Sequence, residues 1–205
     1  MTLPRLHIVT DDARLDLPDF GPRAAALLDA GGADVALHVR GRAHGPRALL
    51  DLAEPLAVRA LQTGARLLIN DRVDVALALR VGAHLGGQGI PIAEARRLLD
   101  HALLGFSAHT LAEARRAEAE GADYAFLGTI FPSASHPGRR PAGLPLLERT
   151  APGARIPVLA IGGVTPERAR EVRARGAYGV AVIGGIWEAD DANVALRAYL
   201  AALGS

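Results

Sequence analysis

Two double-glycine turns, Gly162-Gly163 and Gly184-Gly185, are the first places in this chain where chemistry is legible. The first follows the apolar run Val158-Leu159-Ala160-Ile161 and precedes Thr165-Pro166, a capping residue with proline at the first helical position. Such a turn leaves bare N–H groups at a strand end beside the positive pole of a helix. That is a seat for an anion, most often phosphate, although a ligand-free turn would carry the same residues. The second turn, between Ile183 and Ile186, strengthens the phosphate reading.

Charged side chains extend it. In His38-Val39-Arg40-Gly41-Arg42 a period of two puts His38, Arg40 and Arg42 on one side of an extended chain. Guanidinium groups placed this way suit a phosphate, pyrophosphate or carboxylate. Asn70-Asp71-Arg72 offers one carboxylate, Asp71, which could meet Mg²⁺ or cap a helix starting at Arg72. The irregular stretch from Gly128 to Gly143 holds Ser133, Ser135 and His136, polar groups able to wrap a small anion. His38, His84, His109 and His136 are the pool for a general base, since histidine titrates near neutrality.

The elements that must position these groups follow from periodicity. Solid apolar runs at Leu6–Thr10, Val35–Val39, Arg66–Ile69, Ala83–Leu85, Leu103–Ser107, Tyr124–Leu127, Val158–Ile161 and Gly179–Ile183 predict strands buried on both faces. Helical patterns such as Pro46–Gln62, Ile92–Leu99, Thr110–Glu120 and Pro166–Arg175 alternate with them. Gly-Ala recurs at 32–33, 64–65, 82–83, 121–122, 153–154 and 176–177, close before strands, and is expected to cap helices in the left-handed conformation. The pattern predicts an α/β chain forming a single (β/α)₈ TIM barrel over residues 1–205. Thr10, Arg40, Asn70, His84, Ser107, Thr129 and both glycine turns then fall at strand ends on one rim. Asp34 and Asp123 precede strands and read as structural. The glycine turns sit after strands 7 and 8, where barrels commonly hold phosphate.

Composition closes other routes. The chain has no cysteine and no lysine, which excludes thiolate chemistry and a Schiff base. A net charge of +1 without a basic cluster argues against nucleic acid. No apolar span of membrane length occurs, so no membrane and a cytoplasmic location are expected. The sequence leaves a homo-oligomer open.

The motifs Asn70-Asp71-Arg72-Val73-Asp74, Phe106-Ser107-Ala108-His109-Thr110, Gly128-Thr129-Ile130-Phe131-Pro132, Ala160-Ile161-Gly162-Gly163 and Gly179-Val180-Ala181-Val182 occur in an order that resembles thiamin phosphate synthases and their TenI relatives. The resemblance covers nearly the whole chain. It implies a barrel holding thiazole phosphate on Gly162, Gly163, Ile183, Gly184 and Gly185, with Ser133, Ser135 and Gly143 nearby. It assigns a carboxylate or pyrophosphate to His38, Arg40, Arg42, Asn70, Ser107 and His136. The synthase branch joins a pyrimidine pyrophosphate to thiazole phosphate with Mg²⁺. The TenI branch tautomerises a thiazole carboxylate phosphate without a cofactor.

Several positions depart from the synthase pattern. His38-Val39-Arg40-Gly41-Arg42 stands for Gln-x-Arg-x-Lys, and Arg72 for the third residue of Asn-Asp-Asp. No carboxylate follows His84-Leu85-Gly86 until Glu94, and Ser133-Ala134-Ser135-His136 stands for Thr-x-Thr-Lys. These departures favour a TenI-like tautomerase with His84 or His109 as base, Thr129 standing where some members carry histidine. The alternative is a synthase with Asp71 on Mg²⁺, and the third reading is a barrel that binds thiazole or thiamin phosphate without catalysis.

Overall fold

The computed structural model describes residues 2–133 and 140–204. Eight parallel strands close into a barrel in sequence order: β1 (Leu6–Val9), β2 (Val35–Val39), β3 (Arg66–Asn70), β4 (Gly82–Leu85), β5 (Leu104–Ala108), β6 (Tyr124–Gly128), β7 (Val158–Ile161) and β8 (Gly179–Val182). β1 pairs with both β2 and β8, which completes the ring. The helices among the described residues are α1 (Asp12–Leu15), α2 (Phe20–Gly31), α3 (Pro46–Thr63), α4 (Val73–Leu79), α5 (Ile92–Leu99), α6 (Leu111–Ala119), α7 (Leu144–Thr150), α8 (Pro166–Ala174), α9 (Gly184–Trp187) and α10 (Ala192–Leu203). None is long and apolar enough to cross a membrane.

Parallel strands need crossover connections, and the helices supply them while covering the outer face of the sheet. The larger apolar cluster lies in that outer layer, where Leu6, Ile8, Leu37 and Ile69 of the sheet meet helical Leu27, Leu28, Leu49 and Leu56. The second cluster fills the barrel itself and includes Ala36, Leu68, Tyr124, Phe126 and Leu159. The strands are not uniformly apolar, however. His7, His38 and His84 are buried in the interior, with the His84 and Phe126 ring centroids 4.1 Å apart and those of His38 and His84 5.3 Å apart. Gly105 makes room for this layer, because a Cβ there would lie 2.1 Å from the Tyr124 ring.

The Gly-Ala reading holds in part. Gly64 caps α3 in the left-handed conformation, and Gly121 and Gly176 also have positive φ. Gly32 has φ +49 but ends α2 at ψ −137, outside the left-handed well. Gly82 opens β4 instead, and the cap of α4 is the left-handed Arg80. Gly153 ends a short 3₁₀ turn without positive φ. Asp123 is structural as expected: its carboxylate accepts from Leu104 N–H at 2.7 Å and from Arg96 Nη2 at 2.6 Å.

Candidate active site

At the C-terminal ends of the strands lies a cavity of about 460 Å³. Arg40, Arg42, Asn70, Asp71, His84, Ser107, His109 and Ser133 line it, together with both glycine turns and Ile183. Strands β3 and β7 are four steps apart around the ring, so Asp71 and the Gly162-Gly163 turn face each other across the mouth.

Thr10 ties the first rim loops together. Its hydroxyl accepts from Arg40 N–H at 2.8 Å and donates to the His38 carbonyl at 3.0 Å. Asp12 accepts from Ala43 N–H at 2.8 Å and contacts His44 Nδ1 at 3.0 Å. The Arg40–Arg42 segment is thereby held over the cavity. Burial, and then the charge of Arg42, push the Arg40 guanidinium down from its usual value. Among the described residues its guanidinium has no hydrogen-bond or ion-pair partner. An anion would relieve both penalties.

Asp71 departs from the helix-cap expectation. It adopts φ +60 at the end of β3, and its Oδ1 accepts from Gly86 N–H, beyond β4, at 2.7 Å. Helix α4 starts at Val73 with no side-chain cap from Arg72. The left-handed turn swings the carboxylate across to the next loop, so Asp71 faces the cavity rather than the helix.

The glycine turns are specified by packing. Gly162 and Gly163 have φ +98 and +61, and a Cβ on them would come within 2.4 Å of Thr129 Cγ2 and 2.2 Å of the Pro132 carbonyl oxygen. Glycine is required there before any ligand is considered. Across the turn, the N–H groups of Gly163, Gly184 and Gly185 carry no partner among the described residues. Two side chains that the sequence reading did not single out also border this end. Arg168, in the first turn of α8, donates to the Gly163 carbonyl at 2.6 Å and lies 4.6 Å from the Phe131 ring centroid. Arg168 thereby adds a guanidinium beside the turn. Tyr199 of α10 reaches in to donate to the Val164 carbonyl at 2.7 Å, and burial raises its phenol to about 12. Arg168 could have been found from its place five residues after Gly163. Tyr199, from a distant helix, had no local signal.

The histidines divide. His84 is buried, with Nδ1 at 3.1 Å from the Tyr124 hydroxyl and Nε2 at 2.9 Å from Ser107 Oγ. The Tyr124 hydroxyl has no other acceptor among the described residues, so it donates to Nδ1. His84 then donates from Nε2 to Ser107, which frees the serine hydrogen to point into the cavity. Burial first, then the charges of His38, His7 and Arg40, drive His84 well below the ordinary histidine value. Both nitrogens of this neutral imidazole are hydrogen-bonded, so His84 has no free lone pair at the cavity in this arrangement. His109 contacts the Gly128 carbonyl through Nδ1 at 2.6 Å and stays at the rim. His38 does not line the cavity. It lies one layer below, buried, with burial lowering it to about 4. Gly143 is also displaced from the site: it caps α7 with φ +73 and donates to the Ile130 carbonyl at 3.2 Å. Ser135 and His136 lie outside the described residues.

Comparison with known proteins identifies a family. A family model described as thiamine monophosphate synthase matches residues 6–186. The thiamine-phosphate synthase of Chlorobium luteolum is 40% identical over 201 residues, covering 97% of this chain and 92% of that protein. That of Chloroflexus aurantiacus is 39% identical over 198 residues, covering 94% and 89%. The solved thiamine phosphate pyrophosphorylase from Pyrococcus furiosus superposes with a TM-score of 0.85 at 30% identity, covering 98% of this chain and 95% of that one.

Proposed function

The chain belongs to the thiamine monophosphate synthase family, and from that premise we propose that it is a thiamin phosphate synthase, coupling hydroxymethylpyrimidine pyrophosphate to thiazole phosphate. The observation that carries this reading is a pair of anion seats on opposite arcs of one rim. Arg40 and Arg42 line one arc, and the glycine turns with Arg168 line the other. Two phosphorylated substrates that must meet head to head need such a division. The thiazole phosphate takes the backbone cup, and the pyrophosphate lies against the guanidinium groups. As pyrophosphate leaves, charge grows on its oxygens, where Arg40 and the Ser107 hydroxyl can meet it.

Mg²⁺ fits this site as an ion shared with the substrate. Among the described residues no three His, Asp or Glu side chains converge on a metal position. Asp71 would hold it with substrate oxygens and water, a donor set that Mg²⁺ accepts. When bound, the ion would supply positive charge to the leaving pyrophosphate.

The TenI-like tautomerase expected from the motifs is the weaker reading. It needs a base at the cavity, and His84 is bonded on both sides. Of the two histidines that line the cavity, only His109 retains a ring nitrogen without a partner among the described residues. The relatives at 39–40% identity are named synthases, not tautomerases. A pyrophosphate-release assay with both substrates tests the proposal. Release that requires Mg²⁺ and stops with EDTA is expected. Absence of release, with conversion of the thiazole carboxylate tautomer that disappears in His109→Ala, would overturn it.

A further inference from the structure

The two glycine turns follow neighbouring strands, β7 and β8, and one side chain from a third element touches both. Tyr199, buried on α10, donates its hydroxyl to the Val164 carbonyl at 2.7 Å, one residue past Gly162-Gly163. The same oxygen stands where a side chain of Gly185 would begin. A Cβ there would lie 2.1 Å from that oxygen and 3.1 Å from the ring carbon that bears it.

Backbone conformation does not explain Gly185. It has no positive φ and sits in the first turn of α9, where alanine is the better helix former. Its neighbour Gly184 meets only the movable end of Glu188, whereas Gly185 meets a ring wedged in the core. Close approach of the hydroxyl is what requires glycine at 185. The phenol is not itself suited to hold phosphate. Burial, then the charge of Glu167, raises it to about 12, so it keeps its proton. That one hydrogen is committed to Val164, which leaves the oxygen only accepting capacity toward a phosphate.

We propose that Tyr199 is a positioning residue that fixes the two glycine turns relative to each other, and that Gly185 is the space its hydroxyl occupies. The proposal rests on reading these turns as the thiazole phosphate cup. Tyr199 acts on the ligand through the backbone on either side of it, and the pyrophosphate arc at Arg40 and Arg42 is independent of it.

Four proteins test this: wild type, Tyr199→Phe, Gly185→Ala and the double variant. Urea unfolding reads the contact without ligand, and calorimetric titration with thiazole phosphate reads its consequence. Tyr199→Phe is expected to weaken thiazole phosphate about fivefold through the lost hydrogen bond, with KM for the pyrimidine pyrophosphate within about twofold of wild type. Gly185→Ala is expected to lower the unfolding midpoint and to weaken thiazole phosphate about tenfold. Combining them removes the clash, because the Cβ then meets a ring carbon at 3.1 Å in place of an oxygen at 2.1 Å. The double variant should therefore unfold at higher urea and bind more tightly than Gly185→Ala alone. Additive losses, or a Tyr199→Phe protein that binds thiazole phosphate like the wild type, would overturn the positioning role while leaving the cup in place. A wild type that does not bind thiazole phosphate would overturn the cup, and the role with it.

Discussion

At the β2 and β3 ends of the barrel, the rim presents guanidinium and carboxylate side chains on loops that reach into solvent; at β7 and β8 it presents backbone N–H groups within a tightly packed turn. The first seat owes its charge to side chains that can be replaced one at a time. The second owes its shape to close approach, since the β6 loop packs onto Gly162 and Gly163 so closely that no side chain fits. Replacing a side chain of the first group is therefore expected to spare the fold. In the second, the residues proposed to hold phosphate are the ones that packing fixes.

Arg40→Ala puts the largest expected effect on this contrast. Synthase kcat/KM should fall about 100-fold or more, as when a charge-stabilising donor is removed. Thiazole phosphate binding by calorimetry should change less than about twofold, because it occupies the opposite arc. A large loss of thiazole phosphate affinity would break the division into two seats. Gly163→Ala should do the reverse. Positive φ and the Pro132 contact cost roughly 2–3 kcal/mol of stability in urea unfolding, with thiazole phosphate affinity falling in parallel. An unchanged unfolding midpoint would show that the turn is not held by packing.

Asp71→Asn removes one charge and leaves an acceptor for Gly86 N–H. The Mg²⁺ concentration for half-maximal rate should rise about tenfold with little change in stability, following the loss of a hard anionic donor. A rate independent of Mg²⁺ in the wild type would remove the premise. Gly184→Ser sharpens the comparison at the smallest scale. Gly184 has no positive φ, and a Cβ there meets only the flexible end of Glu188 at 2.9 Å. The serine should therefore fold normally and, by adding one hydroxyl donor, tighten thiazole phosphate about threefold. A destabilised Gly184→Ser protein would mean that both turns are packed alike.

Much of this was legible in order along the chain. Val35–Val39, Val158–Ile161 and Ile92–Leu99 have the bounds that their apolar spacing predicts. The glycine turns, Arg40, Arg42 and Ser107 line the cavity as period and strand position require. The errors share a cause. His38 obeys the same period as Arg40 but lies one layer deeper, and depth in a barrel depends on stagger between strands rather than on alternation within one. Asp71 could not be separated from a helix cap, because the left-handed turn that redirects it is stabilised by Gly86 from another loop. The bonding of His84, one of the two histidines offered as base, depends on neighbours, Tyr124 and Ser107, that lie 40 and 23 residues away.

Local periodicity and turn chemistry are short-range physics, so the sequence by itself determined the eight-strand barrel and placed both glycine turns on the rim where the cavity opens. Tertiary structure decided what each polar group can do there. Protonation and tautomer depend on burial and on partners brought from distant strands. These set His84 as a neutral donor to Ser107, leave the Arg40 guanidinium without a hydrogen-bond or ion-pair partner among the described residues, and bring Arg168 against the Gly163 carbonyl. Such partners meet only when the ring closes, and no window along the chain contains them.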